Sequence, residues 1–311
     1  MYPALSLILF TTLSGAGFGL LGLLGLLAMG GLMPAAAGFG PVAALAALAL
    51  IVAGLGASTR HLGRPGRLPL ALTQWRTSWL SREALTASAS MPVALAFALS
   101  LGERSGAVLP IIIGGLAAAL ATASVVCTAM IYATLRPIPH WCNSLVLPCF
   151  LLLAAMTGGL LLVLLAVCFG AVPPCVVALT IVAILAAWTA KFAYWRQVDG
   201  LPARSDLAGR EGLGRLGPLR LLDPALSFGG FTVAEMGRAV CPPLVRRLRR
   251  VAVVLLFAVP LPLTALQPLL AGTPAVLAAG CAVLAAAIGG GVERWLFFAE
   301  ARHACRAWYA G

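Results

Sequence analysis

The sequence predicts an all-α, polytopic integral membrane protein with about eight transmembrane helices. Three observations lead there: an excess of apolar residues, their arrangement in long uninterrupted runs, and the confinement of charge to the segments between runs. Of 311 residues, 61% are hydrophobic and 10% are charged. An ordinary soluble domain has roughly 45–50% and 25%. One soluble core of this length cannot hide so much apolar surface, whereas a lipid-facing helix can be apolar all round.

A span needs roughly 20 mostly apolar residues, and the runs place spans at 5–32, 35–57, 84–102, 107–132, 145–169, 171–194, 251–272 and 274–298. The chain opens Met1-Tyr2-Pro3 without a basic region, and no small-residue cleavage site interrupts the apolar run. The opening therefore reads as the first span and not as a cleaved signal. Short Pro- and Gly-bearing reversals, Val172-Pro173-Pro174 and Gly272-Thr273-Pro274, join spans five to six and seven to eight. All of 1–311 is read as one membrane domain.

Three longer loops, 58–83, 133–144 and 195–250, alternate onto one face if the count of eight holds. That face carries Arg60, Arg64, Arg67, Arg76 and Arg82 in the first loop and Arg136 in the second. Lys191, Arg196, Arg204, Arg210, Arg215, Arg220, Arg238, Arg246, Arg247, Arg249 and Arg250 lie in or beside the third. The opposite face has Arg104 alone. By the positive-inside rule the arginine face is cytoplasmic, which puts both termini on the cytoplasmic side of a bacterial inner membrane. The formal net charge of +12 thus reads as topology and contact with anionic lipid, not as nucleic-acid binding. Trp75, Trp79, Tyr132, Trp141, Trp188, Tyr194 and Trp195 flank the same face and read mostly as an interfacial belt.

Within the 58–83 loop, Leu68, Leu72, Trp75 and Trp79 recur at three- and four-residue intervals. This predicts a short amphipathic helix lying in the membrane surface. The 195–250 loop, basic and broken by Gly209, Gly212, Gly214, Gly217 and Pro218, is too long for a connector and is expected to dock a partner.

Chemistry is sparse. The eight cysteines, Cys127, Cys142, Cys149, Cys168, Cys175, Cys241, Cys281 and Cys305, include no C-x-x-C pair. Iron–sulfur and zinc sites need closely spaced thiolates, so no cluster and no metal site is expected in this chain. The three histidines, His61, His140 and His303, all fall at the arginine face, leaving none inside the spans for a transmembrane haem relay. Glu83 is the most informative acid, placed where the first basic loop enters the third span. It reads equally as a functional group or as the partner of Arg82 or Arg76 at a helix N-terminus. His61 reads as an interfacial anchor or as a proton-exchanging group.

The stretch Ser58-Thr59-Arg60-His61-Leu62-Gly63-Arg64-Pro65, followed by Trp79-Leu80-Ser81-Arg82-Glu83, resembles the H-L-G-x-P and S-x-E pair of the DmsC family. These are the membrane anchors of dimethyl-sulfoxide-reductase-type enzymes. His61 and Glu83 stand 22 positions apart, as the pattern requires. Cys127-Thr128-Ala129-Met130-Ile131-Tyr132 with Arg136-Pro137-Ile138-Pro139-His140-Trp141 resembles the end of the family's fourth span, and Glu293-Arg294-Trp295-Leu296-Phe297-Phe298 its last.

The resemblance implies a heterotrimer of a molybdopterin catalytic subunit, a ferredoxin-like iron–sulfur subunit and this haem-free anchor, which exchanges electrons with menaquinone or ubiquinone and is not catalytic alone. It implies that His61 and Glu83 bind quinone; Arg64, Trp79 and Tyr132 are expected to line the site beside them, and Arg60, Arg67, Arg76 and Arg136 on the basic face are expected to meet the partner. A sulfite dehydrogenase that reduces quinone and a sulfoxide reductase that oxidises quinol fit equally. Two other readings compete: a passive scaffold without a quinone site, and a secondary transporter, which should carry ionisable groups inside its spans. Apart from Glu293 and Arg294, near the inner end of the last span, the spans read as free of charge.

Overall fold

The computed structural model describes residues 3–59, 70, 72–102, 108–201 and 241–301. His61, Arg60, Arg64 and Arg67 lie outside the described residues, as do Arg104, His303 and most of the 195–250 loop. Among the described residues there are eight helices long and apolar enough to cross a membrane, and no strand. They are α1 (Leu5–Met29), α2 (Phe39–Thr59), α3 (Trp79–Gly102), α4 (Val108–Ala133), α5 (Val146–Cys168), α6 (Pro174–Asp199), α7 (Pro242–Leu269) and α8 (Thr273–Ala299). The chain is a multi-pass membrane protein. With eight crossings, the start of α1 and the end of α8 share one face, and the described Arg76, Arg136, Arg196 and Arg246 lie at helix ends on that face.

The helices form two four-membered groups. In the first, α1 packs on α2 and α4, and α3 packs on α2 and α4. In the second, α5 packs on α6 and α8, and α7 packs on α6 and α8. The groups meet where α1 lies against α5. Lipid is as apolar as leucine, so such contacts depend on close backbone approach at small residues. At the seam Gly19 of α1 lies on the Ala154 backbone, and Gly158 of α5 lies on the Gly19–Leu20 peptide, with no room for a Cβ at either.

Three segments depart from the sequence reading. Helix α3 begins at Trp79 and not at 84, because Ser78 caps it: its carbonyl accepts the Arg82 N–H at 3.1 Å and its hydroxyl accepts the Ser81 N–H at 3.4 Å. The described residues 72–77 of the expected surface helix are turns, with Thr77 N–H and Ser78 N–H both donating to the Gln74 carbonyl. Helix α7 begins at Pro242, so Arg246, Arg247, Arg249 and Arg250 stand on a helix within what the sequence reads as loop. Prolines are tolerated in a first turn, where their missing N–H has no partner to lose.

Helix α7 is also broken. It is α-helical to Val253, takes one π-helical turn over Val254–Ala258 and resumes at Pro260–Ala265. Pro260 and Pro262 cannot donate, and the ladder adjusts by a wider bond from Val259 N–H to Val254 O at 2.9 Å.

Candidate functional site

Among the described residues the buried charged side chains form two groupings, both toward the arginine-bearing face. The first is Glu83. Because α3 starts early, this acid sits in the helix's second turn and is buried, 5% exposed. Arg82, one of its expected partners, is otherwise engaged: its Nε and Nη2 donate to the Trp75 and Arg76 carbonyls, each at 2.8 Å, and its guanidinium stacks 4.3 Å from the Trp79 ring. Glu83 instead accepts a short hydrogen bond from the Thr128 hydroxyl of α4. Thr128 also donates to the Ser124 carbonyl at 3.0 Å, as a hydroxyl in a helix commonly does. Among the described residues no ion pair involves Glu83.

The second grouping was only half visible in the sequence. Glu293 and Arg294 of α8 are buried, and Lys191 of α6, read there as part of the basic surface, is 1% exposed and ion-paired with Glu293. Arg294 Nε donates to the other oxygen of Glu293 at 2.6 Å. The three formal charges sum to +1. The spans are therefore not free of charge. A buried lysine with nothing polar around it would be prohibitively costly; here Glu293 and the ring faces of Tyr194 at 4.1 Å and Trp195 at 5.2 Å compensate it.

The expected aromatic belt is largely internal. Tyr132, Trp141, Tyr194 and Trp195 are buried, while Trp75 is exposed. Tyr132 packs against Trp141, Phe150, Phe297 and Phe298 with ring centroids 5.3 to 5.8 Å apart. Trp141 Nε1–H donates to the Phe297 carbonyl at 2.9 Å, and Tyr194 O–H to the His140 carbonyl at 3.1 Å. These bonds bind the loop after α4 to α6 and α8. The difference has a physical cause: a tryptophan or tyrosine goes inward when its polar atom finds a backbone carbonyl there.

Of the residues picked from the sequence, Glu83 and Tyr132 are buried on adjacent helices, with Tyr132 in electrostatic reach of both Glu83 and Arg294. Trp79 stays at the boundary, held by Arg82. Arg76 and Arg136 are exposed on the arginine-bearing face.

Between the two groupings lies a cavity of about 320 Å³ at the seam of the helix groups. Its walls come from α1, α2, α4, α5, α7 and α8, and Thr128, Glu293 and Arg294 are among the lining residues. Its other lining is mostly aliphatic or aromatic, including Phe18 and Phe150. No sequence period announces such a space, since six helices contribute to it.

The arrangement is that of a membrane-embedded protein with a polar-ended apolar cavity near one surface. Comparison with known proteins gives the class more closely. The family described as DMSO reductase anchor subunit (DmsC) matches residues 1–208. A sulfite dehydrogenase subunit from Allochromatium vinosum is 33% identical over 327 aligned positions, covering 99% of each chain. The chain belongs to the DmsC family of anchor subunits. The family match includes Glu83, Thr128 and Lys191, and the alignment to the Allochromatium protein extends over nearly the whole chain.

Proposed function

We propose that this chain is the quinone-reactive membrane anchor of a three-subunit molybdopterin oxidoreductase. It exchanges electrons between menaquinone or ubiquinone and a ferredoxin-like iron–sulfur subunit docked on the arginine-bearing face. The observation that carries the reading is Glu83: an acid buried in a membrane helix, paired with a neutral hydroxyl, whose partner Thr128 lines a cavity of about 320 Å³. Ionisable groups in such places are costly and are kept for function. Quinone chemistry moves protons with electrons, and a carboxylate near the surface can pass a proton between bound quinone and water.

The Allochromatium relative is named as part of a sulfite dehydrogenase, which favours electron flow from a sulfite-oxidising subunit into quinone. The arginine face lies on the cytoplasmic side of a bacterial inner membrane, with both termini there. Basic residues such as Arg76 and Arg136, together with Arg60 and Arg67, orient the iron–sulfur subunit and speed its encounter more than they add affinity. His61 acts with Glu83 at the quinone, and Arg64, Trp79 and Tyr132 shape the approach.

The test is quinone-linked turnover by the purified complex carrying His61→Ala or Glu83→Gln. A loss on the order of a hundredfold is expected, as for removal of a proton-transfer group, with assembly intact and electron delivery to an artificial acceptor retained. Turnover at the wild-type rate in both variants would leave a passive scaffold as the better reading.

A further inference from the structure

Arg294 is 5% exposed, and its Nη2 is buried without a hydrogen-bond partner among the described residues. Its Nε is committed to Glu293, and the guanidinium plane lies 4.2 Å from the Phe150 ring. Arg294 and Phe150 both line the seam cavity. A charged donor left unpaired in a buried site is expensive, so an acceptor belongs beside it.

The rest of the lining constrains what that acceptor is. The hydroxyls of Thr11, Thr12, Ser14 and Thr157 belong to lining residues but already donate to carbonyls of their own helices, at 3.0, 2.8, 2.6 and 2.8 Å. Thr128 donates to Glu83. The wall thus offers one charged donor amid apolar surface. A phosphate headgroup needs several donors and would lie against the Glu293 carboxylate. A flat, mostly apolar ring with a neutral carbonyl oxygen needs one donor and can stack beside Phe150. The volume falls at the lower end of the roughly 300–1,000 Å³ typical of small-molecule sites.

Resting on the quinone reading above, we propose that the seam cavity seats the quinone headgroup, with Arg294 Nη2 donating to one carbonyl oxygen and Thr128, also in the lining, linking the ring's surroundings to Glu83. Arg294 is then a binding residue, and the Lys191–Glu293 pair positions it. The cluster's net positive charge favours a ring that gains electron density on reduction.

The experiment titrates the full-length chain in lipid nanodiscs with the quinone analogue 2-heptyl-4-hydroxyquinoline N-oxide, followed by quenching of its fluorescence. Arg294→Gln tests the donor, and Gly15→Leu on α1 and Gly290→Leu on α8 fill the cavity from two different helices. A Cβ at Gly15 meets nothing within 4 Å, and one at Gly290 meets Leu256 at 3.8 Å, so both positions begin with room for a side chain. Each variant is expected to weaken binding at least tenfold, with Arg294→Lys intermediate. Should Arg294→Gln fail to fold, Gly15→Leu, on α1 and outside the ion cluster, decides alone. Wild-type affinity in the glycine variants overturns the seam cavity as the seat while leaving the quinone reading in place. A wild-type chain that does not bind the analogue overturns the quinone reading itself.

Discussion

Glu83 and Glu293 are both buried carboxylates in membrane helices, 5% and 0% exposed, yet their surroundings differ completely. Glu293 is held by two cations, Lys191 and Arg294, inside a shell of aromatic rings. Glu83 has a threonine hydroxyl. A carboxylate held by two cations is a fixed part of the scaffold, because protonating it would strand both positive charges. One held by a hydroxyl can gain or lose its proton without breaking an ion pair. Residue type and burial are the same; in the function proposed above, the partners leave one acid to structure and the other to proton exchange.

The most disruptive way to test this contrast is Glu293→Gln. It leaves Lys191 and Arg294 as like charges in a buried site and is expected to cost about 3–5 kcal/mol, as for other broken buried pairs. Thermal melting of the purified chain in detergent reads this out. A melting temperature within a degree or two of wild type would erase the distinction between the two acids. Glu83→Gln should lie at the other extreme. Its amide oxygen can still accept the Thr128 hydroxyl, so melting changes by no more than about 1 kcal/mol while quinone-linked turnover collapses.

Thr128→Val sharpens the comparison with the smallest effect. It keeps the carboxylate and removes only its described partner, and a lost hydrogen bond of roughly 0.5–1.5 kcal/mol translates into about a two- to tenfold fall in turnover. A fall as deep as that of Glu83→Gln would show that the hydroxyl itself carries the proton.

The eight helices could be read from the sequence because lipid exposure demands long apolar runs, and nothing tertiary has to be known to see them. The boundaries that moved did so for local reasons: Ser78 caps α3 ahead of the apolar run, and Pro242–Pro243 start α7 among arginines. Glu83 was legible as a charge next to a span. The Lys191–Glu293 pair was not, since its partners lie 102 positions apart on different helices and no period connects them. A single lysine between Ala190 and Phe192 is the available signal, and in the sequence it reads as one more basic residue of the arginine face. The cavity was less legible still, depending on how closely α1 and α5 approach at Gly19 and Gly158.

The central claim, that quinone binds within this chain in its arginine-side half, is tested most directly by photolabelling. The intact protein in its native membrane would be irradiated with a photoreactive quinone analogue and the labelled peptides mapped by mass spectrometry. Label is expected on α1 between Leu9 and Phe18 and on α8 between Val283 and Arg294, suppressed by excess unlabelled quinone. Label confined to the opposite ends of these helices, around Met29 and Thr273, or label that unmodified quinone does not suppress, would contradict the claim.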